Sequence, residues 1–270
     1  MQFGLNIFDR IIRKYLFIKG FVAGPLVDKQ RVVDLIKTLQ PWDTDLELIR
    51  LGPNKDGGYL VPNDLKNIEA CFSPGVGNEI GFEKACLENN MKIYLADATV
   101  GEPDLNGTKF NFIKKNIGVI SNNNNITIDD WINSSKLKKD SDLLLQMDIE
   151  GSEYEVLIET SIETLSRFRA IIIEFHGLNN LFEQFYLKVI ASIFNKLGTH
   201  FSIAHCHPNN CCGEVKVENI TVPRVLEITF IRNDRIKYVS EMNPFTLPHH
   251  LDEKNIKKNP DLIMPEIWWK

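Results

Sequence analysis

Titratable side chains stand at the ends of three apolar segments that we predict to be strands. They are Asp148 and Glu150, Glu174 and His176, and His205 and His207. Because alternate residues of a strand point to the same side of a sheet, the two members of each pair face one way. Carboxylates and imidazoles that converge at one edge of a sheet are typical of a site for proton transfer or for a cation.

A glycine turn precedes these segments in the chain. Gly75, Gly77 and Gly81 follow a predicted strand and lead into a predicted helix. Glycine lets the backbone approach a ligand closely. Asp97 ends the next predicted strand, at the distance where a carboxylate can accept hydrogen bonds from both hydroxyls of a ribose. Together these residues predict a nucleoside-binding site.

The spacing of the glycine turn is compatible with two kinds of nucleoside cofactor. It has the pattern GxGxxxG rather than GxGxxG, so it does not decide between a nicotinamide dinucleotide and S-adenosylmethionine. A dinucleotide brings a pyrophosphate to the helix N-terminus, where Glu79, expected in the first helical turn, would repel it. The sequence therefore favours S-adenosylmethionine.

Alternating strand and helix patterns predict the elements that must position these residues. The predicted strands cover residues 68–74, 92–98, 112–120, 143–148, 170–176, 201–207 and 225–231, and the predicted helices cover 28–39, 79–89, 127–134, 154–168 and 181–197. Continuous apolar runs are typical of parallel strands that are covered on both faces. The alternation predicts an α/β fold with a doubly wound sheet. The last two strands have no helix between them and are expected to be antiparallel.

Composition excludes several classes of protein. The chain has 270 residues, of which 43% are hydrophobic and 25% charged, as in a globular protein with an ordinary core. A net charge of -5 gives no basic field for a polyanion, so no nucleic-acid partner is expected. Five irregularly spaced cysteines do not form a disulfide pattern, which favours a reducing, cytoplasmic location.

The N-terminal stretch from Phe3 to Val27 is rich in large apolar residues. Five charged residues interrupt it too often for a transmembrane span or a signal peptide. It is predicted to form an amphipathic helix that packs against the domain or a partner subunit, as in a homodimer. The alternative is peripheral contact with a membrane surface.

Several segments, taken in order, resemble one family. DIEGSEYEVL, from Asp148 to Leu157, resembles the FkbM-type S-adenosylmethionine-dependent methyltransferases. Similar segments are GPNKDGGYLVPNDL, SPGVGNEIGFE, ITIDDW, IIIEFHGL, HCHPNNC and VPRVLEITFIR. The resemblance covers residues 50–233, and an ordered set of motifs is more specific than any single one.

The resemblance implies a class I, Rossmann-like methyltransferase sheet of seven strands with the last one antiparallel. It also implies methyl transfer to oxygen, on a small-molecule or glycan acceptor such as a sugar hydroxyl. The residues that it assigns to the cofactor are Gly75, Gly77, Asp97 and Asp148, joined by Asp56, Gly57 and Tyr59 from the preceding segment. One departure is that Cys71 and Ser73 stand where many methyltransferases carry an acidic residue, which leaves the methionine amino group without an assigned partner.

A sugar hydroxyl must lose its proton as the carbon–oxygen bond forms, so a general base is expected. His176 is preferred because its strand neighbours the one that carries Asp148 and because imidazole titrates near neutral pH. The other candidates for this base are His207 and Glu174.

A divalent metal is the alternative to metal-free base catalysis, which we favour. The ligands would be Asp148, Glu150, Glu174 and His176. Zinc at His205, Cys206, His207, Cys211 and Cys212 is disfavoured, because adjacent cysteines lack the usual spacing and strand alternation turns Cys206 away from both histidines.

The predicted organisation has three parts: an N-terminal helical segment (1–50), a methyltransferase domain (51–240) and a C-terminal extension (241–270). Two other functions stay open. A nicotinamide-dependent oxidoreductase would explain the glycine turn and Asp97 but not the DIEGSE segment. A non-catalytic glycan-binding protein could keep a methyltransferase-like fold, since fold alone does not guarantee activity.

Overall fold

The structure is a computed structural model that describes residues 7–20, 24, 26–77, 79–104, 110–237 and 247–270. The α-helices are α1 (Ile7–Ile18), α2 (Lys29–Thr38), α3 (Gly81–Glu88), α4 (Ile128–Ser134), α5 (Glu153–Glu159), α6 (Ile162–Leu165) and α7 (Gln184–Gly198). The strands are β1 (Leu48–Leu51), β2 (Tyr59–Pro62), β3 (Ala70–Pro74), β4 (Lys92–Ala96), β5 (Asn111–Ile113), β6 (Asn116–Ile117), β7 (Asn125–Ile126), β8 (Leu143–Met147), β9 (Phe168–His176), β10 (Phe201–Pro208), β11 (Glu214–Val217), β12 (Ile220–Pro223) and β13 (Val225–Arg232).

Seven strands form the central sheet in the order β10-β13-β9-β8-β3-β4-β5. The neighbours from β9 to β5 are all parallel, whereas β13 is antiparallel to both β9 and β10. The α/β sheet with an antiparallel last strand is therefore confirmed. The carboxyl ends of β3, β4, β8 and β9 meet at one edge, which is where a ligand binds in an open sheet of this kind.

Alternate residues of the central strands bury themselves on opposite faces of the sheet. Phe72 and Leu145 belong to one hydrophobic cluster, whereas Cys71 and Leu144 belong to the other. Both faces are covered, which accounts for the continuous apolar runs in the sequence. Burial of each large side chain contributes about 1.5–3 kcal/mol, so the sheet holds its edge residues on a rigid base.

Several boundaries differ from the predicted ones. The helix predicted at 154–168 is two helices, because Ser161 begins α6 by accepting a hydrogen bond from the Thr164 backbone. The strand predicted at 112–120 is divided into the short β5 and β6. The helix predicted from Glu79 begins at Gly81, so Glu79 lies before the helix and instead pairs with Lys55 at 2.5 Å.

Two antiparallel hairpins were not predicted. One joins β1 and β2, and it holds residues 52–58 as its loop. The other joins β11 and β12 between the last two strands of the central sheet. The first hairpin crosses the boundary expected at residue 50, and its loop is fixed by Arg50, whose Nε donates to the Pro53 carbonyl at 2.9 Å.

The two ends of the chain differ in how they pack. Helix α2 buries Val32, Leu35 and Ile36 in the core, and the C-terminal Trp268 is fully buried. None of the described side chains of α1 is buried. Phe8 and Phe17 are 71% and 74% exposed. Residues 3–6, 21–23 and 25 of the predicted amphipathic stretch and residues 241–246 of the predicted extension lie outside the described residues. No helix among the described residues is long and apolar enough to span a membrane.

Candidate active site

A cavity of about 780 Å³ opens at the carboxyl edge of the sheet. The predicted site residues that line it are Asp56, Gly57, Tyr59, Gly75, Gly77, Asp97 and Asp148. The β1–β2 hairpin supplies the first three, the glycine turn after β3 supplies the next two, and the acids follow β4 and β8. Asn78 of the glycine turn lies outside the described residues.

Gly75 is a position where only glycine fits. Its φ is +79°, in the left-handed region, and a Cβ built there would lie 1.6 Å from the Asp148 carbonyl oxygen. The Gly75 amide donates to the Ala96 carbonyl at 3.0 Å, which ties the turn to the end of β4. A Cβ at Gly77, in contrast, would meet no protein atom within 4 Å. The turn thus brings bare backbone to the cavity wall.

The Asp97 carboxylate is held in place by the glycine turn and by its own loop. Its Oδ2 accepts from the Gly77 amide at 3.1 Å, and its Oδ1 accepts from the Thr99 amide at 2.7 Å. Burial acts to raise the pKa of Asp97, but the hydrogen bonds from Thr99 and Gly77 outweigh it, so the pKa lies below its usual value. A fixed anionic acceptor on the cavity wall suits a vicinal diol such as that of a ribose.

Asp148 is a carboxyl group that shares a crowded acidic region. Its Oδ1 is buried without a hydrogen-bond partner. Burial raises its pKa to about 7, opposed by the charge of His176 and reinforced by Glu150 and Glu153. Glu174 lies in the neighbouring strand β9. Its pKa is also raised, first by burial and then by the Asp148 charge. Two neighbouring acids with raised pKa values can share a proton or bind a cation.

His176 adjoins Asp148 without lining the cavity itself. Its Nε2 lies 3.9 Å from Asp148 Oδ1 and 3.6 Å from Glu174 Oε1, and its side chain is 18% exposed. On the other side of the ring, Nδ1 lies 3.1 Å from Oε1 of Glu153. Burial lowers the pKa of His176, but the hydrogen bond and charge of Glu153 raise it above its usual value.

Glu153 was not predicted as a site residue. It is fully buried, and its Oε1 also accepts from the amides of Ile149 and Gly151. Because this oxygen acts as an acceptor, it assigns the ring proton of neutral His176 to Nδ1 and leaves Nε2 as the basic nitrogen. The sequence signal for it is its place in the DIEGSE segment, close after Asp148 and Glu150.

The structure places His207 apart from the cavity. It is buried at the end of β10 and lines a second, smaller cavity of about 240 Å³ under the C-terminal segment. His207 Nδ1 lies 3.6 Å from Asp252, which contacts His205 Nε2 at 2.8 Å. Of the other two candidates for the base, Glu174 lies beside His176. His207 instead lies beside Asp252 and His205.

Asn255 ties the same C-terminal segment to the first site. Its side-chain amide donates to Asp56 at 3.0 Å and to the buried Glu227, which stands opposite Glu174 in the β9–β13 pairing. Burial raises the pKa of Glu227 to about 7, opposed by the charge of His207. Sequence patterns do not indicate this contact, since the residues that it joins lie far apart in the chain.

Two groups of described residues have ligand atoms close enough for a metal ion. They are Asp148, Glu174 and His176, and Asp56, Glu174 and Glu227, each within 4.8 Å. Carboxylate oxygens and one imidazole nitrogen form a donor set for a hard or borderline divalent cation. Neither group contains a cysteine, and Cys206 is buried in the hydrophobic core.

The class I methyltransferase fold is defined by the strand order and by the antiparallel β13. The cavity lined by the glycine turn and by Asp97, at the end of β4, agrees with it. Residues 35–201 match the family model described as the methyltransferase FkbM domain. The chain belongs to this methyltransferase family, as the resemblance of its motifs predicted.

The solved structures that match this chain in a structural comparison are distant in sequence. The fibrillarin pre-rRNA processing protein of Methanococcus jannaschii is 12% identical over 70% of this chain and 83% of that chain, with a TM-score of 0.38. A candidate methyltransferase of Streptococcus mutans in complex with SAH is 10% identical over 78% and 99%, with a TM-score of 0.29. A search of curated proteins returned no match.

Proposed function

We propose that the protein is an S-adenosylmethionine-dependent O-methyltransferase that acts on a hydroxyl group of a sugar or a glycan-linked acceptor. The observation that carries this proposal is the juxtaposition of the Gly75–Asp97 cavity with the His176–Glu153 pair at one edge of the sheet. The family membership supports methyl transfer, and it gives no support to the nicotinamide-dependent alternative.

The residues present fit the proposed cofactor. Gly75 and Gly77 leave backbone free of side chains on the cavity wall. Asp97 Oδ2 accepts a hydrogen bond from Gly77 and is the oxygen proposed to accept from the ribose. S-adenosylmethionine supplies an activated methyl group when it is bound. The protein's part is to align an acceptor oxygen with that group and to exclude water.

The acceptor hydroxyl must also lose a proton, and His176 is the group proposed to take it. Glu153 holds the ring by Nδ1, which leaves Nε2 to accept the proton. The buried Glu153 carboxylate also stabilises the imidazolium that forms. Asp148 lies beside Nε2 and lines the cavity, so it can hydrogen-bond the acceptor hydroxyl and hold it in place.

The polar rim of the site supports a hydroxyl-bearing acceptor over an anionic one. Asp56, Asp148 and Glu150 line the cavity, and carboxyl groups of this kind accept hydrogen bonds from sugar hydroxyls. The same negative charges would repel a polyanion. We therefore propose a neutral carbohydrate or a small polyol as the acceptor.

Calorimetry tests the cofactor. The wild-type protein should bind S-adenosylhomocysteine and not NAD. Asp97→Ala should weaken the binding at least about tenfold, because it removes charge-assisted hydrogen bonds of about 1.5–3 kcal/mol. Glu102→Ala, which removes an exposed acid of the same loop, is the matched control and should bind as the wild type does. Unchanged affinity in a folded Asp97→Ala protein would contradict the assignment.

A methylation assay tests the base. With any acceptor that is methylated, His176→Asn should keep cofactor affinity within about threefold while kcat falls by about 10²–10⁴. If His176→Asn keeps most of its kcat, His176 is not the base. Glu174→Gln would then test whether Glu174 takes this role.

A further inference from the structure

Strand β3 lacks the group that one part of the proposed cofactor requires. The methionine part of S-adenosylmethionine carries an α-ammonium group, and a buried cation needs an anionic partner. At the end of β3, beside the glycine turn, Cys71 and Ser73 are both neutral and fully buried. The strand that leads into the cofactor cavity therefore offers no charge to that ammonium group.

A carboxylate reaches the same place from the next helix. Glu83 of α3 is 2% exposed and lines the cofactor cavity. Its Oε1 lies 2.5 Å from the Ser73 hydroxyl. The carboxyl group of Glu83 is therefore close to the place that an Asp or Glu side chain at position 73 of β3 would reach. Its Oε2 is buried and has no hydrogen-bond partner.

No cationic side chain of the described residues forms a salt bridge with Glu83. Burial raises the pKa of this carboxyl group, against the lowering effect of the Ser73 hydrogen bond. Burial of an acid without a counter-ion is costly, so a helix face that packs on a sheet normally carries an apolar residue there. A cationic ligand in the cavity would remove this cost.

The neighbours of Glu83 hold it in one position. The Ser73 hydroxyl also lies 2.8 Å from the side-chain oxygen of Gln146, and the Gln146 amide donates to the Tyr59 hydroxyl at 3.3 Å. Ser73, Gln146 and Tyr59 come from three different elements, so the carboxyl group is fixed relative to the glycine turn as well as to the cavity.

Resting on the proposed use of S-adenosylmethionine, we infer that Glu83 binds the α-ammonium group of its methionine part. The Glu83 carboxylate pairs with the cation through the partnerless Oε2, while Ser73 holds Oε1. In this protein a helix residue thus takes the place of an acid on the first strand of the methyltransferase sheet. Glu83 is a binding residue and takes no part in the proton transfer at His176.

Two ligands that differ only in the ammonium group test this inference. S-adenosylhomocysteine carries the α-ammonium group, and its desamino analogue keeps the adenosine, thioether and carboxylate. The wild-type protein should bind S-adenosylhomocysteine about 10- to 100-fold more tightly than the analogue. In Glu83→Gln, which keeps the shape of the side chain, this preference should fall to about threefold or less, and affinity for the analogue should stay within about threefold of wild type.

Glu88→Gln is the matched control, since it makes the same change of charge at an exposed position of the same helix. It should keep the full preference for S-adenosylhomocysteine. The inference is overturned if the wild-type protein binds both ligands equally, a result that needs no variant to fold. It is also overturned if Glu83→Gln keeps the wild-type preference or loses affinity for both ligands equally.

Failure of the proposed function gives a different result. A wild-type protein that binds neither S-adenosylhomocysteine nor its analogue would contradict the use of this cofactor altogether, and the assignment of Glu83 would fall with it. Binding of S-adenosylhomocysteine without a preference over the analogue would overturn the role of Glu83 alone.

Discussion

Replacement of Glu153 by Gln should lower the pKa of His176 and slow the reaction. The substitution keeps the shape of the side chain and removes the buried carboxylate that lies 3.1 Å from Nδ1. The glutamine oxygen can still accept from Nδ1, because the amides of Ile149 and Gly151 also donate to it and hold it in place. We therefore expect the ring to keep its tautomer and the imidazolium to lose the buried negative charge that stabilises it.

The size of the pKa change follows from the groups that remain around the ring. Burial acts to lower the pKa of His176, and the hydrogen bond and charge of Glu153 are the main influences that raise it. The next acid, Asp148, itself has a pKa of about 7 and is only partly charged at neutral pH. Glu150 is 86% exposed, so its charge is screened by water. The lost hydrogen bond is charge-assisted and worth about 1.5–3 kcal/mol, so the pKa of His176 should fall.

Proton NMR titration measures this change without a substrate. The chain has six histidines, and the His176 resonance is identified by its absence from the His176→Asn spectrum. A general base acts when it is neutral, so activity should rise as the pH rises through the pKa of His176. The Glu153→Gln protein should move this limb to lower pH and reduce kcat by about 10- to 100-fold.

Glu159→Gln, an exposed change at the end of the same helix, provides the control and should leave both values unchanged. If the His176 resonance titrates at the same pH in Glu153→Gln and in the wild type, then the buried carboxylate does not set the state of the ring. The reasoning is also refuted if the pH limb moves to higher pH.

Three further predictions test the site and its supports. Gly75→Ala should lower the free energy of unfolding by more than about 2 kcal/mol in denaturant titrations, since its Cβ would meet the Asp148 carbonyl, and Gly77→Ala should cost less because that space is empty. Asp252→Ala should cost about 3–5 kcal/mol at neutral pH by leaving its histidine partners buried without it. Burial acts to raise the pKa of Asp252, but the contacts and charges of His205 and His207 together outweigh it, so this stabilisation is present above pH 3.8 and is lost as the pH falls below it. Methylation should survive exhaustive EDTA treatment, and loss of activity that Mg²⁺ restores would instead make Asp148 a metal ligand.

Local patterns in the sequence determined most of the sheet and half of the site. Apolar runs such as residues 143–145 fix a strand wherever both faces are covered, and the strand-to-helix alternation fixes the order of the layers. The glycine turn and Asp97 were recognisable because short-range spacing alone carries their geometry. For the same reason the acids and imidazole at the ends of β8 and β9 could be assigned to one edge.

Tertiary structure decided which of those residues act together. His176 and His207 both end apolar strands that follow each other in the chain. The packing of the C-terminal segment nevertheless places His207 beside Asp252, whereas His176 contacts Glu153. Glu83 lies in an ordinary amphipathic helix, and only the packing of that helix on β3 brings its carboxylate to Ser73. Such pairings depend on contacts between elements that are distant in the chain, and hydrophobic periodicity contains no information about them.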